Sequence, residues 1–174
     1  MKNELSKIYI TESLLERSRA LLASFITEAE RTEGVVYWFG LELPGKSIVT
    51  SLMVPNAETN WGCISTSPKA NAEVLMSIVG TPLVLIGQAH SHPGAMVRHS
   101  DIDDRQTFPR FEGAISLVVP HFALRGIDLE RCGVHRFMDG AYQLLPTEDV
   151  LDHFVVIPGE RDFRIQHEQE QCEE

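Results

Sequence analysis

Residues 82–108 read PLVLIGQAHSHPGAMVRHSDIDDRQTF, and this stretch decides the fold class. Pro82 to Gly87 is a short, continuous apolar run of the kind found in strands covered on both faces. His90 and His92 follow two apart, and in an extended chain alternate side chains point to one face. Pro93 then ends the strand, so both imidazoles are expected at a sheet end beside a loop. Beyond that loop, Ser100 and Asp103 have the spacing of a capping box at a helix start. A strand, a loop and a helix start thus converge on two histidines and one carboxylate.

Working outward, the same alternation of element types continues. Leu14, Leu21, Leu22, Phe25 and Ile26 recur at helical spacing, and Ser13 with Glu16 offers a cap at the start of that helix. EGVVYWFGLE, from Glu33, is a β-branched and aromatic run closed by Pro44-Gly45, with Ser47 to Pro55 as its return strand. Ser67-Pro68 opens a second helix whose apolar face is Val74, Leu75, Ile78 and Val79, ending before Gly80. Ala114 to Pro120 repeats the buried-strand signal, and shorter strands are expected around His135 to Leu145 and Phe154 to Ile157. Helices interleaved with strands and no internal repeat predict one α/β (α+β) domain over residues 1–159, a mixed sheet flanked by helices. Residues 160–174, with six acids and two arginines, are expected to form an acidic, frayed tail.

Composition bounds the function. The 174 residues carry 15 Lys plus Arg against 25 Asp plus Glu, a formal net charge of −10. Such a surface repels phosphate backbones and anionic lipid, so nucleic-acid and membrane binding are not expected. Cys63, Cys132 and Cys172 are odd in number and lack CxxC spacing, which argues against a disulfide framework and a four-cysteine zinc site. The first ten residues lack the apolar core of a signal peptide, and the expected compartment is the cytoplasm.

Two histidines and one carboxylate leave a fourth coordination position for water, the composition of a hydrolytic zinc site. His-x-His alone arises by chance roughly 0.3 times in such a sequence, whereas the whole pattern through Ser-x-x-Asp falls to the order of 10⁻⁴ or below. HSHPGAMVRHSDID resembles the JAMM signature of JAB/MPN-domain zinc metalloproteases. That signature also has an upstream glutamate before a short apolar strand, matched here by Glu33 seven residues before Gly40. The resemblance spans about Glu33 to Phe108. It implies a JAB/MPN-like fold, one zinc ion held by His90, His92 and Asp103, Glu33 as acid/base and Ser100 as an oxyanion donor. Without it, Glu33 would be one solvated acid beside Glu28 and Glu30.

The resemblance further implies hydrolysis of an amide or isopeptide bond at the C-terminus of a ubiquitin or ubiquitin-like protein. Single-domain bacterial members accompany E1- and E2-like conjugation enzymes, some in antiphage defence. Two other readings stay open: a peptidase acting on a sulfur-carrier protein or its cysteine adduct, and a non-catalytic MPN-type binding module. A deaminase would need His-x-Glu with Pro-Cys-x-x-Cys, and a zincin HExxH; neither motif is present. His99 reads as an exposed loop residue, with an outer-shell place beside the metal as the alternative. Asp101 and Asp104 read as helix-start acids, and Cys63 as a small buried residue, with a place lining the site as its alternative. Trp38 and Trp61 read as core anchors, and His121, His135, His153 and His167 as structural.

Overall fold

The computed structural model describes residues 6–60 and 63–159. The chain begins with strand β1 (Lys7–Thr11) and helix α1 (Glu12–Ala23), then β2 (Val35–Leu43) and β3 (Lys46–Met53). A small hairpin of β4 (Ala57–Asn60) and β5 (Cys63–Thr66) precedes helix α2 (Pro68–Met76). Strand β6 (Val84–Ser91) leads through the histidine loop to the short helix α3 (Asp101–Gln106). The chain continues with β7 (Ile115–Val119), β8 (Gly133–Met138), β9 (Ala141–Leu144), a one-turn helix α4 (Val150–His153) and β10 (Phe154–Ile157).

Eight strands make one mixed sheet in the order β10-β1-β3-β2-β6-β7-β8-β9. β6 lies in its middle, antiparallel to β2 and parallel to β7. It is buried on both faces from Leu85 onward, as the apolar run that opens it predicts. Alternation along β2 divides the core. Val36 and Trp38 face α1 with Leu15, Leu22 and Ile86, while Val35, Tyr37 and Phe39 pack with Ile64, Val74 and Leu85 on the α2 side. Trp38 is the anchor expected: it is fully buried, stacks on Phe154, and donates its indole N–H to Ser18 Oγ at 3.0 Å. That last bond removes an unsatisfied polar atom from the core.

Two helices and one hairpin depart from the sequence reading in detail. The cap of α1 is Thr11, whose hydroxyl accepts from Leu14 N–H, so Ser13 falls inside the first turn. Placing the cap there follows from β1, which alternates buried Ile8 and Ile10 and runs directly into the helix. The second helix has Ser67 as its cap and Pro68 in its first turn, as expected, but ends at Met76 and reaches Gly80 through non-helical turns. Strands β4 and β5 carry little apolar alternation, and nothing in their sequence predicts them. Among the described residues no helix is long and apolar enough to cross a membrane. The expected tail, Trp61, His167 and Cys172 lie outside the described residues.

Candidate metal centre

Register brings the site together. Val35 of β2 pairs with His90 of β6, and the next pair outward is Gly34 with Ser91. There the Ser91 N–H donates to the Gly34 carbonyl and the Gly34 N–H donates to Ser91 Oγ, each at 3.0 Å. Continuing that register one place sets Glu33 opposite His92, on the face His90 shares. Ser91 points to the other face, as its odd position requires. A Cβ on Gly34 would stand 2.7 Å from the Phe25 ring and 2.8 Å from the Leu22 carbonyl, so only glycine lets the segment pass this close to the end of α1. Thr32 ties the same segment down by donating its hydroxyl to the Phe25 carbonyl. Glu33 is therefore 3% exposed, whereas Glu28 and Glu30 are solvated.

The third member of the His-His-Asp group comes from the start of α3. Ser100 caps this helix, and both halves of the capping box are present: Asp103 N–H donates to Ser100 Oγ, and Ser100 N–H donates to Asp103 Oδ2 at 2.7 Å. The Ser100 hydroxyl also donates to Oδ2 at 2.7 Å. Capping thus orients the carboxylate toward the histidines. Asp101 and Asp104 join Asp103 in the first turn, where negative charge is favourable.

His90, His92 and Asp103 are all buried, and one ligand atom from each lies within 4.8 Å of the others. The two Nε2 atoms are 3.2 Å apart; His90 Nε2 is 3.8 Å from Asp103 Oδ1 and His92 Nε2 is 3.3 Å from Oδ2. His92 Nδ1 is 2.9 Å from the Met96 carbonyl, to which only a protonated Nδ1 can donate, leaving Nε2 with a lone pair. Imidazole and carboxylate donors converging in a buried spot fit a borderline divalent ion such as zinc, and the arrangement suggests a metal site. Val35, Tyr37, Ile64, Thr66 and Phe108 line the narrow cleft that reaches His90 and Asp103.

The electrostatics are those of a concentrated, desolvated site. Burial pushes the Glu33 carboxyl up from 4.5 to about 7, with His92 opposing and Asp103 reinforcing the shift. Burial would also raise Asp103, but His92, His90 and the Ser100 donors hold it well below the usual carboxylate range. Burial holds His90 well below its ordinary value; at His92 the effect of burial is overcome by Asp103, and its value is raised.

Glu33 makes the metal-free fold pH-sensitive. The unfolded chain ionises Glu33 near 4.5 and the folded chain near 7, so its contribution to stability is whole below 4.5 and is lost as pH rises through 7. Metal-free Glu33→Gln is expected to gain roughly 2–3 kcal/mol over metal-free wild type between pH 4.5 and 8. Urea unfolding at the two pH values checks this; a constant gap contradicts it.

A left-handed turn fixes the backbone at His92. His121, Phe122 and Ala123 have φ of 55°, 55° and 59°, a strained conformation for residues with side chains. Phe122 N–H donates to the His92 carbonyl at 2.8 Å, and His92 N–H donates to the Val119 carbonyl at 2.9 Å. The burial of Phe122 and Ala123 holds this turn in place.

Two expectations, for His99 and Cys63, need correcting. The His99 side chain is only 3% exposed, because its ring lies flat on buried His135 with centroids 3.9 Å apart. Cys63 is half-buried at the start of β5, its thiol pushed up by burial and by the carboxylates of Glu33 and Asp103. The sequence reading also passed over Gln88 and Ser116, which line up beside His90 in the interior. Their one visible signal is a polar residue interrupting an otherwise apolar strand.

No protein-family model matches the chain. A protein of Sinorhizobium fredii (strain NBRC 101917 / NGR234) named "Probable metalloprotease y4jG" is 28% identical over 108 residues. That alignment covers 60% of this chain and 66% of the relative, so the chain spans just under two thirds of that relative's length. Among solved structures, protein DSY2949 of Desulfitobacterium hafniense shares the fold with a TM-score of 0.65 at 15% identity, over 87% of this chain and 94% of its own. A JAB1/MPN domain protein of Archaeoglobus fulgidus aligns over 80% of this chain and 96% of its own, at 17% identity and a TM-score of 0.46. The metalloprotease relative and the buried His-His-Asp group are consistent with the JAB/MPN metalloprotease family that the motif resembles.

Proposed function

We propose that this protein is a zinc-dependent peptidase that hydrolyses an amide or isopeptide bond at the C-terminus of a ubiquitin-like protein. The observation that carries the reading is the buried Glu33 carboxyl facing His90, His92 and Asp103, an acid/base beside a metal-ligand set. The metalloprotease relative supports the reaction class. The substrate class rests on the resemblance of residues 33–108 to the JAMM signature.

His90, His92 and Asp103 would hold the ion, which when bound supplies Lewis acidity and makes water a competent nucleophile near neutral pH. The chain's own groups do the rest. Glu33, a buried carboxylate beside the ligand set, takes a proton from the attacking water and returns it to the departing amine nitrogen. The Ser100 hydroxyl, which in this structure donates to Asp103 Oδ2, turns to the carbonyl oxygen as that atom gains charge. In this reading an extended tail approaches His90 between β5 and the segment following α3, past Ile64, Thr66 and Phe108. No covalent intermediate is needed, so Cys63 has no assigned step.

Ser100 separates two roles. Ser100→Ala is expected to lower stability by about 1 kcal/mol through its cap. It should also slow turnover while leaving zinc bound, because the Ser100 backbone N–H still orients Asp103. A thermal melt beside a zinc assay checks both; complete loss of zinc would make the hydroxyl a support of the metal site rather than an oxyanion donor.

The substrate class is tested with zinc-loaded protein and a ubiquitin-like protein carrying a C-terminal amide-linked reporter, set against a sulfur-carrier protein with the same reporter. Preferential release from the first supports the proposal. Preferential release from the second transfers the activity to sulfur-carrier tails, and release from neither refutes both.

A further inference from the structure

A hydrogen-bonded chain runs through the interior behind His90. Gln88 Nε2 lies 3.2 Å from both His90 Nδ1 and Ser116 Oγ. Ser116 Oγ is 3.0 Å from His99 Nε2, and His99 Nδ1 is 3.1 Å from Asp104 Oδ1. Gln88, Ser116 and His90 are 4%, 0% and 1% exposed. The sheet makes this row: Gln88 pairs with Ser116 across β6 and β7, and Ser116 pairs with His135 across β7 and β8. His99 reaches the row from the loop by stacking on His135, whose Nε2 accepts the His99 backbone N–H.

The donors and acceptors in this chain have one consistent polarity. With the Gln88 amide nitrogen toward His90 Nδ1, that atom accepts and the ring carries its proton on Nε2. Gln88 also donates to Ser116, Ser116 donates to His99 Nε2, and His99 donates from Nδ1 to the Asp104 carboxylate. But His90 Nε2 is the atom turned toward His92 and Asp103. A metal ion there requires the lone pair at Nε2 and the proton at Nδ1. Nδ1 then needs an acceptor, and the amide nitrogen cannot be one.

We propose that Gln88 is the positioning residue for His90, and that metal loading turns its amide over and reverses the chain behind it. This inference rests on the reading of His90, His92 and Asp103 as metal ligands. In the loaded state Gln88 Oε1 accepts from His90 Nδ1–H and from the Ser116 hydroxyl. Ser116 can serve either polarity, since a hydroxyl donates once and accepts as well. His99 then donates from Nε2 to Ser116, and its Nδ1 releases Asp104, whose carboxylate is 55% exposed and passes to water. His99 and Ser116 act only through Gln88.

The test combines zinc affinity, by competition against a chromogenic chelator, with the imidazole ¹⁵N shifts of the full-length protein. Gln88→Met keeps the volume and removes the amide; it is expected to bind zinc about 10- to 100-fold more weakly. Gln88→Glu keeps an acceptor and should restore affinity. In wild type, zinc should move the His99 proton from Nδ1 to Nε2, a change that packing alone does not produce, and Gln88→Met should abolish that move. If Gln88→Met fails to fold, Ser116→Ala carries the test, since it must break the coupling between zinc and the His99 proton. Wild-type affinity in Gln88→Met, or a His99 proton that stays on Nδ1 in loaded wild type, overturns the inference while the metal site stands. A wild type that takes up no zinc overturns the metal-site reading and this inference together.

Discussion

Glu33→Gln is expected to keep its zinc and lose roughly 10²- to 10⁴-fold in hydrolysis, the usual share of a positioned acid/base. Glu33 faces the site from the segment that precedes β2, whereas the proposed ligands come from β6, the residue after it and α3, so the substitution is expected to leave each of them in place. The amide also fits the same buried volume beside Gly34, where space is set by the end of α1. Metal content and turnover measured on one preparation decide the matter. Loss of zinc together with activity would make Glu33 part of the binding set, and undiminished turnover would remove it from the mechanism.

The second large effect falls on the metal. Asp103→Ala is expected to weaken zinc binding by more than the roughly 100-fold that bounds the loss of a hydrogen-bonded partner behind a ligand. Its carboxylate is the one anionic donor of the trio, and its low-lying proton affinity keeps it ionised across the whole working range of pH. Truncation leaves His90 and His92 with two neutral donors. The variant also loses the Asp103 half of the capping box, so its melting temperature is measured without metal to separate folding from binding. A full equivalent of tightly held zinc in a folded Asp103→Ala protein would strike this residue from the ligand set.

How much of this was legible in the sequence differs by element. The run from Pro82 to Pro93 could be read because two unrelated signals agree there: an apolar segment that only a covered strand can use, and histidines at a strand's period. Ser100 and Asp103 could be read because a cap is a local device, fixed within four residues. Glu33 is the opposite case. What separates it from Glu28 and Glu30 is the antiparallel register of β2 on β6 and the tight passage at Gly34, and neither is visible without the fold. The burial of His99 is hidden for the same reason: its partner His135 lies 36 residues away on a strand it reaches only through a loop. The cap of α1 moved to Thr11 because β1, a strand of five residues, abuts the helix directly.

The central claim is that metal and acid/base form one catalytic centre in this chain. The most direct measurement is a titration of zinc into metal-free protein with amide release from a ubiquitin-like reporter followed at each addition. Activity should be absent without metal, rise in proportion to zinc, and break at one equivalent per chain, with Glu33→Gln binding the same equivalent and remaining flat. Turnover in the metal-free protein, or one bound equivalent in wild type with no release from any amide-linked tail, would contradict the account.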